Sequence, residues 1–209
     1  MKSKRPLAKV ESIDSSEFGT AGRVLGKAFQ TDPLWTAVIA DSDRRQEKLT
    51  RMFTALTQTT VMSGGLAEGT PGLDGVALWM PPGRDLGLWA MVRTGFAIPR
   101  FAMALPKPDR KRMLSVLRQI AERQKAVMPE PHWYVSAVGV DPESQGIGIG
   151  SALMEHGIAR ADREGAPVYL ETETASNVAF YKKLGFNVLD EFTPAGVDVK
   201  LWHMARRDL

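Results

Sequence analysis

Apolar positions recur at two spacings along the chain, and the switch between them marks out the elements. Phe18, Ala21, Leu25, Ala28 and Phe29 fall three and four residues apart, which is one face of a helix. Asp14-Ser15-Ser16-Glu17 ahead of them is rich in helix-starting residues, and Asp32-Pro33 is expected to end the run. Leu49, Met52, Phe53, Leu56 and Thr60 predict a second helix over about 43–62, stopped by Gly64-Gly65. Short runs rich in apolar and β-branched residues predict strands at 7–13, 66–68, 75–80, 132–140, 168–172, 186–192 and 197–203. Two more helices are expected at 148–164 and 176–184, with Gly165 and Gly185 as their C-terminal glycines. The stretch 86–128 reads as two helical pieces split around Pro106-Lys107-Pro108. The order β-α-α-β-β-α-β-α-β-α-β-β implies an α/β protein with a mixed sheet.

A length of 209 residues fits one domain spanning 1–209. The complete lack of cysteine excludes a disulfide scaffold, thiolate metal sites and a cysteine nucleophile. Residues 1–6 are basic and read as a flexible tail, because no apolar stretch of signal-peptide length follows. No run of about 18 apolar residues occurs, so no membrane partner is expected and the cytoplasm is the default address. The net charge of +3 is unevenly spread. Between Pro81 and Lys125 there are ten basic and three acidic residues, which leaves the remainder at −4. The basic residues interleave with Met113, Leu114, Leu117 and Ile120 at helical spacing, as on a solvated helix face, and nucleic acid is not an expected partner.

The stretch most informative about chemistry runs Val138-Gly139-Val140-Asp141-Pro142-Glu143-Ser144-Gln145-Gly146-Ile147-Gly148-Ile149-Gly150-Ser151. A strand enters a glycine-rich turn, and the turn opens a helix whose free amides favour an anion, above all a phosphate or pyrophosphate. No lysine stands in the turn, which disfavours a nucleoside-triphosphate loop, and the third glycine comes one residue early for a dinucleotide fingerprint. Coenzyme A, whose pyrophosphate needs the same amide cradle, is the remaining candidate beside an ordinary glycine-rich connection. Three glycines at alternate positions weaken a helix start, which argues against the ordinary connection.

Gln145-Gly146-Ile147-Gly148-Ile149-Gly150 resembles the Gln/Arg-x-x-Gly-x-Gly/Ala motif of the GCN5-related N-acetyltransferase (GNAT) superfamily. Asn177-Val178-Ala179-Phe180-Tyr181-Lys182-Lys183-Leu184-Gly185-Phe186 resembles that superfamily's second hallmark. Trp133-Tyr134, Leu170-Glu171-Thr172 and the Trp202-x-Met204 ending extend the likeness toward the puromycin-acetylating branch, densely from 132 to 192 and diffusely before. The resemblance implies a GNAT fold: a central, strongly twisted mixed sheet flanked by helices, with a helical insert before the cofactor strand. It also implies acetyl-CoA as acyl donor and an amine acceptor.

By that resemblance, the donor is held by Val138, Gly139 and Val140 along its pantetheine arm. Gln145, Gly146, Ile147, Gly148, Ile149, Gly150 and Ser151 hold it at the pyrophosphate, with Asn177 and Tyr181 nearby. Gly139 is also consistent with a local bulge or a close backbone approach, and Asn177 suits a helix start. Tyr181 is the candidate general acid and Glu171 the candidate base, with Glu173 second. Alternation places Glu171 and Glu173 on one strand face and Leu170 and Thr172 on the other. His132, His156 and His203 do not pair at helical spacing, so no metal site is expected. Trp35 and Trp79 are each either core or an aromatic wall of the acceptor pocket. The expected reaction is direct acetyl transfer to a primary amine of a small molecule, such as an aminonucleoside or another xenobiotic, or to a protein lysine. The alternative is a catalytically silent acyl-CoA-binding module. A monomer or homodimer is expected.

Overall fold

The computed structural model describes residues 9–39, 41–84 and 105–207. Strands β1 (Glu11–Ser12), β2 (Leu66–Gly69), β3 (Gly75–Met80), β4 (Trp133–Val140), β5 (Val168–Thr172), β6 (Asn187–Phe192) and β7 (Leu201–Arg206) form one sheet in the order β1-β2-β3-β4-β5-β7-β6. The pair β4/β5 is parallel and every other neighbour is antiparallel, so the sheet is mixed as expected. Helices α1 (Phe18–Ala28), α2 (Pro33–Val38), α3 (Arg45–Met62), α4 (Lys107–Val127), α5 (Ile149–Arg163) and α6 (Ala175–Lys183) cover both faces. Leu25, Leu49, Phe53, Val76, Leu78 and Met113 fill the core under α1, α3 and α4. Trp79, Val135, Leu153, Met154, Leu170 and Phe186 fill the core on the α5 face.

Most elements predicted from periodicity are present within a few residues, and the differences have local causes. The first helix ends at Ala28, just before Asp32-Pro33 as expected, and the pair also begins a further helix, α2. The Asp32 side chain accepts from the Leu34 and Trp35 amides, and Pro33 takes the first helical position, where its missing N–H costs nothing. The first strand is confined to Glu11–Ser12 among the described residues. The last strand begins at Leu201 rather than 197, and residues 193–200 connect β6 to β7. Of the two helical pieces expected over 86–128, α4 matches the second, and the first falls mostly on residues outside those described.

Of the two readings of Gly139, a bulge or a close backbone approach, the close approach is the one found, and the bulge lies at Ser136. Leu78 pairs with Ala137 and Trp79 with Val135, so Ser136 has no register partner on β3, although its Oγ donates to the Leu78 carbonyl at 3.2 Å. One extra residue inverts the alternation, because side chains on a strand change face at every step. Trp133 and Val135 pack toward α5 before the bulge, and Val138 and Val140 do so after it. Gly139 serves packing: a Cβ there would lie 2.9 Å from the Ala28 Cβ and 3.0 Å from the Leu25 Cδ2, so α1 could not sit so close to β4. Among the described residues, no helix is long and apolar enough to cross a membrane.

Candidate active site

The bulge coincides with a parting of the sheet. β4 and β5 pair only at Trp133↔Val168 and Tyr134↔Tyr169, then diverge. The edge of β4 beyond Tyr134 is thus left unpaired on its β5 side, while its other edge stays bonded to β3 through Val140. A cavity of about 1690 Å³ opens along this gap. Val138, Gly139 and Val140 line it, as the sequence suggested.

At the far end of β4 the chain turns through Pro142–Ser144 into the glycine segment. Lys27 at the end of α1 pairs with Asp141 at 2.8 Å, and Gln145 Nε2 donates to the Val140 carbonyl at 3.1 Å, which fixes the turn against the strand. Gly146 (φ +79°) and Gly148 (φ +96°) both adopt the left-handed region, and a Cβ at either would meet nothing within 4 Å. Glycine is therefore required by backbone conformation there, and the space beside it is open. Gly148 is the N-cap of α5, and no side chain caps that helix. Its first turn borders the cavity, where Gln145, Gly146, Gly148, Ile149, Gly150 and Ser151 form the lining. Of the predicted segment, Ile147 alone is absent from the lining, and it is 57% exposed. An uncapped helix start of this kind favours an anionic ligand.

Across the gap, α6 presents Tyr181 to the cavity, and Asn177 lines it one turn earlier. The helix-start role considered for Asn177 belongs to Thr174, whose Oγ1 accepts from the Asn177 amide at 3.2 Å. The exposed Asn177 side chain is thereby left for a ligand or solvent. Tyr181 is buried among Phe180 and Phe186, and burial pushes its phenol above its ordinary value, so it stays protonated at neutral pH.

Glu171 lies on β5 inside the cavity with its side chain 8% exposed. Burial raises its carboxyl to about 7, opposed by hydrogen bonds from Tyr169 and Tyr134. The Tyr169 hydroxyl, two residues earlier, donates to Glu171 Oε1 at 2.9 Å. Glu173 is just past the strand end and meets a group the sequence reading missed, Asp32. Burial raises both of these carboxyls, the repulsion between them raises Glu173 further, and the two share a hydrogen bond. Beside them Phe29, Trp35 and Phe53 make an aromatic wall. Trp79 is instead fully buried core under α5.

Asp32 and Tyr134 carried a readable signal that went unused. Asp before Pro marks a helix start as well as a break, and the Trp133-Tyr134 pair opens the cofactor strand. His203 on β7, whose ring is in hydrogen-bond contact with Tyr169 beside Glu171, gave no readable signal, because its place next to β5 is set by the register of the last hairpin. Among the described residues, no cluster of three or more His, Asp or Glu is arranged to hold a metal ion.

The Acetyltransferase (GNAT) family model matches residues 101–186. An uncharacterized N-acetyltransferase of Schizosaccharomyces pombe is 29% identical over 181 residues, covering 83% of this chain and 72% of that protein. A solved structure of a histone acetyltransferase HPA2 and related acetyltransferase from Corynebacterium glutamicum superimposes with TM-score 0.68 at 24% identity, over 97% of both chains. YncA, a putative acetyltransferase from Salmonella typhimurium solved with its cofactor acetyl-CoA, superimposes with TM-score 0.54 at 16% identity, over 97% of this chain and 95% of that one. These matches lend no support to the finer likeness to puromycin-acetylating enzymes.

Proposed function

We propose that this chain is an acetyl-CoA-dependent N-acetyltransferase of the GNAT kind that passes the acetyl group directly to the primary amine of a small, cationic acceptor, a reading supported by its similarity to acetyltransferases. The observation that carries this reading is the divergence of β4 from β5. It joins an uncapped helix start at one end of a cavity to Glu171 and Tyr181 further in. The open space at Gly146 and Gly148 and the unpaired edge of β4 fit a pyrophosphate and an extended amide-bearing arm, respectively. In this reading Gln145, Gly146, Ile147, Gly148, Ile149, Gly150 and Ser151 hold the phosphates through backbone amides. Val138, Gly139 and Val140 hold the arm, and Asn177 bonds the donor or an ordered water.

Bound acetyl-CoA supplies a thioester carbonyl for the amine to attack and a thiolate that departs. Glu171, with its carboxyl near 7, takes the ammonium proton at an Oε atom, directly or through one water. Tyr181 keeps its proton at Oη until the departing thiolate takes it, and the second proton that the nitrogen loses on becoming an amide restores the phenol. With no cysteine in the chain, no thiol acyl-enzyme can form. The Asp32–Glu173 pair and the Phe29, Trp35 and Phe53 wall favour a positively charged acceptor, because the carboxyls attract an ammonium and the rings stabilise a cation over their faces.

The test is thiol release from acetyl-CoA over a panel of agmatine, polyamines, an arylalkylamine, puromycin, an aminoglycoside and lysine peptides. Turnover is expected with small cationic amines. Strong activity confined to lysine peptides would overturn the small-molecule reading.

A further inference from the structure

Glu171 stands at one end of a buried row of polar groups that the transfer chemistry above leaves unexplained. The row crosses neighbouring strands. β5 contributes Tyr169 and Glu171, and β7 contributes His203, which pairs in register with Glu171. Tyr169 Oη donates to Glu171 Oε1 at 2.9 Å, and His203 Nδ1 is in hydrogen-bond contact with the same Tyr169 oxygen. His203 Nδ1 lies 4.0 Å from Glu171 Oε1, beyond a direct hydrogen bond, so Tyr169 is the link. His203 has no exposed surface, and among the described residues its Nε2 has no hydrogen-bond partner.

Counting protons sets the direction of the row. A tyrosine hydroxyl has one proton to give, and an ionised carboxylate is a stronger acceptor than a neutral imidazole nitrogen. Tyr169 therefore donates to Glu171 and accepts from His203, which places the imidazole proton on Nδ1. The other tautomer would take the Tyr169 proton away from the carboxylate and leave an N–H at Nε2 with no acceptor. Burial lowers the imidazole to about 4, so the ring is neutral at working pH and carries a single proton.

We infer that Tyr169 and His203 are positioning residues for the reaction: a fixed row, His203 Nδ1–H to Tyr169 Oη and Tyr169 O–H to Glu171 Oε1, holds the Glu171 carboxylate in place and keeps it ionised against its burial. The inference rests on the reading of Glu171 as the base. Glu171 is also faced by Tyr134 from β4 and by Glu173, which is tied to Asp32 at the start of α2. His203 is faced by Asp190 from β6 and Arg123 from α4, with the Phe192 ring beside it and the His132 ring against Tyr169. Tyr134 remains as a donor when Tyr169 is removed, so loss of the row shifts the ionisation of Glu171 without abolishing it.

The experiment compares wild type, Tyr169→Phe, His203→Phe and His203→Asn by the pH dependence of kcat/KM. It also follows the Glu171 carboxyl by ¹³C NMR titration, with the resonance assigned from Glu171→Gln. Losing a donor to the charged form moves both the acidic limb and the NMR midpoint upward, by about one pH unit or more in Tyr169→Phe. His203→Phe moves them the same way. His203→Asn, whose amide N–H can replace Nδ1–H, returns them toward wild type. An NMR midpoint unmoved in Tyr169→Phe, whose fold is checked by its near-UV circular dichroism, overturns the row. If His203→Phe fails to fold, Tyr169→Phe and His203→Asn decide. A wild-type rate profile in Glu171→Gln overturns the base reading instead, and the NMR midpoints still report on the row.

Discussion

Replacing Glu171 by Gln should stabilise the protein at alkaline pH while removing its activity. The fold raises this carboxyl from an ordinary value of 4.5 to about 7, chiefly through burial, and the side chain is only 8% exposed. The folded state therefore favours the protonated form. That stabilisation is complete below about 4.5 and is lost as the pH rises through about 7. Each pH unit of the interval corresponds to about 1.4 kcal/mol, so ionised Glu171 costs the folded state about 3 kcal/mol at pH 8. Gln keeps the acceptor for Tyr169 and carries no charge. Urea unfolding of the two proteins at pH 5 and pH 8 reads the difference directly, since all other titrations are shared. The wild type should lose about 2–3 kcal/mol more than Glu171→Gln over that range. Initial rates of Glu171→Gln should fall by about 10²–10⁴. A variant less stable than wild type at pH 8, or parallel stability curves, would refute the reasoning. It would show Glu171 to be a stabilising partner in the sheet instead of a strained base.

Other consequences are sharper in one observable each. Tyr181→Phe should lower kcat by about 10²-fold or more with little change in the KM for acetyl-CoA, as steady-state kinetics will show. Gly148→Ala should cost about 1–2 kcal/mol in thermal unfolding from the left-handed φ alone, because a Cβ meets nothing there; donor affinity by calorimetry should fall as the cradle distorts. Glu68→Gln should cost about 3–5 kcal/mol, because Glu68 is 5% exposed and holds the Arg160 guanidinium between the Trp79 and Trp133 rings through two hydrogen bonds; denaturant unfolding will report it.

How far the sequence disclosed this molecule depends on whether local or distant contacts decide each feature. The helix over α5 and the strand β5 were legible because periodicity and flanking glycines are local. The glycine turn at Gly146 and Gly148 was legible for the same reason, since a turn that requires φ above zero twice is written as glycine twice. Gly139 was legible as a close approach but not as to what approaches: Leu25 and Ala28 lie more than a hundred residues earlier in the chain. The bulge at Ser136 was illegible, because it depends on the register against β3. Asp32 was read only in part: the first helix does end before Asp-Pro, but the same pair also caps and opens α2. The link from Glu171 to His203 joins strands whose order in the sheet is not their order in the chain.

The central claim is that the acetyl group passes straight from acetyl-CoA to an amine in this cavity. Single-turnover mass spectrometry with isotopically labelled acetyl-CoA and a small cationic amine tests it most directly. The labelled acetyl group should appear on the amine nitrogen, in step with free coenzyme A, with no labelled protein at any time, and far more slowly with Glu171→Gln. Labelled protein that forms and decays ahead of the product, or tight acetyl-CoA binding with no transfer to any amine, would contradict the account.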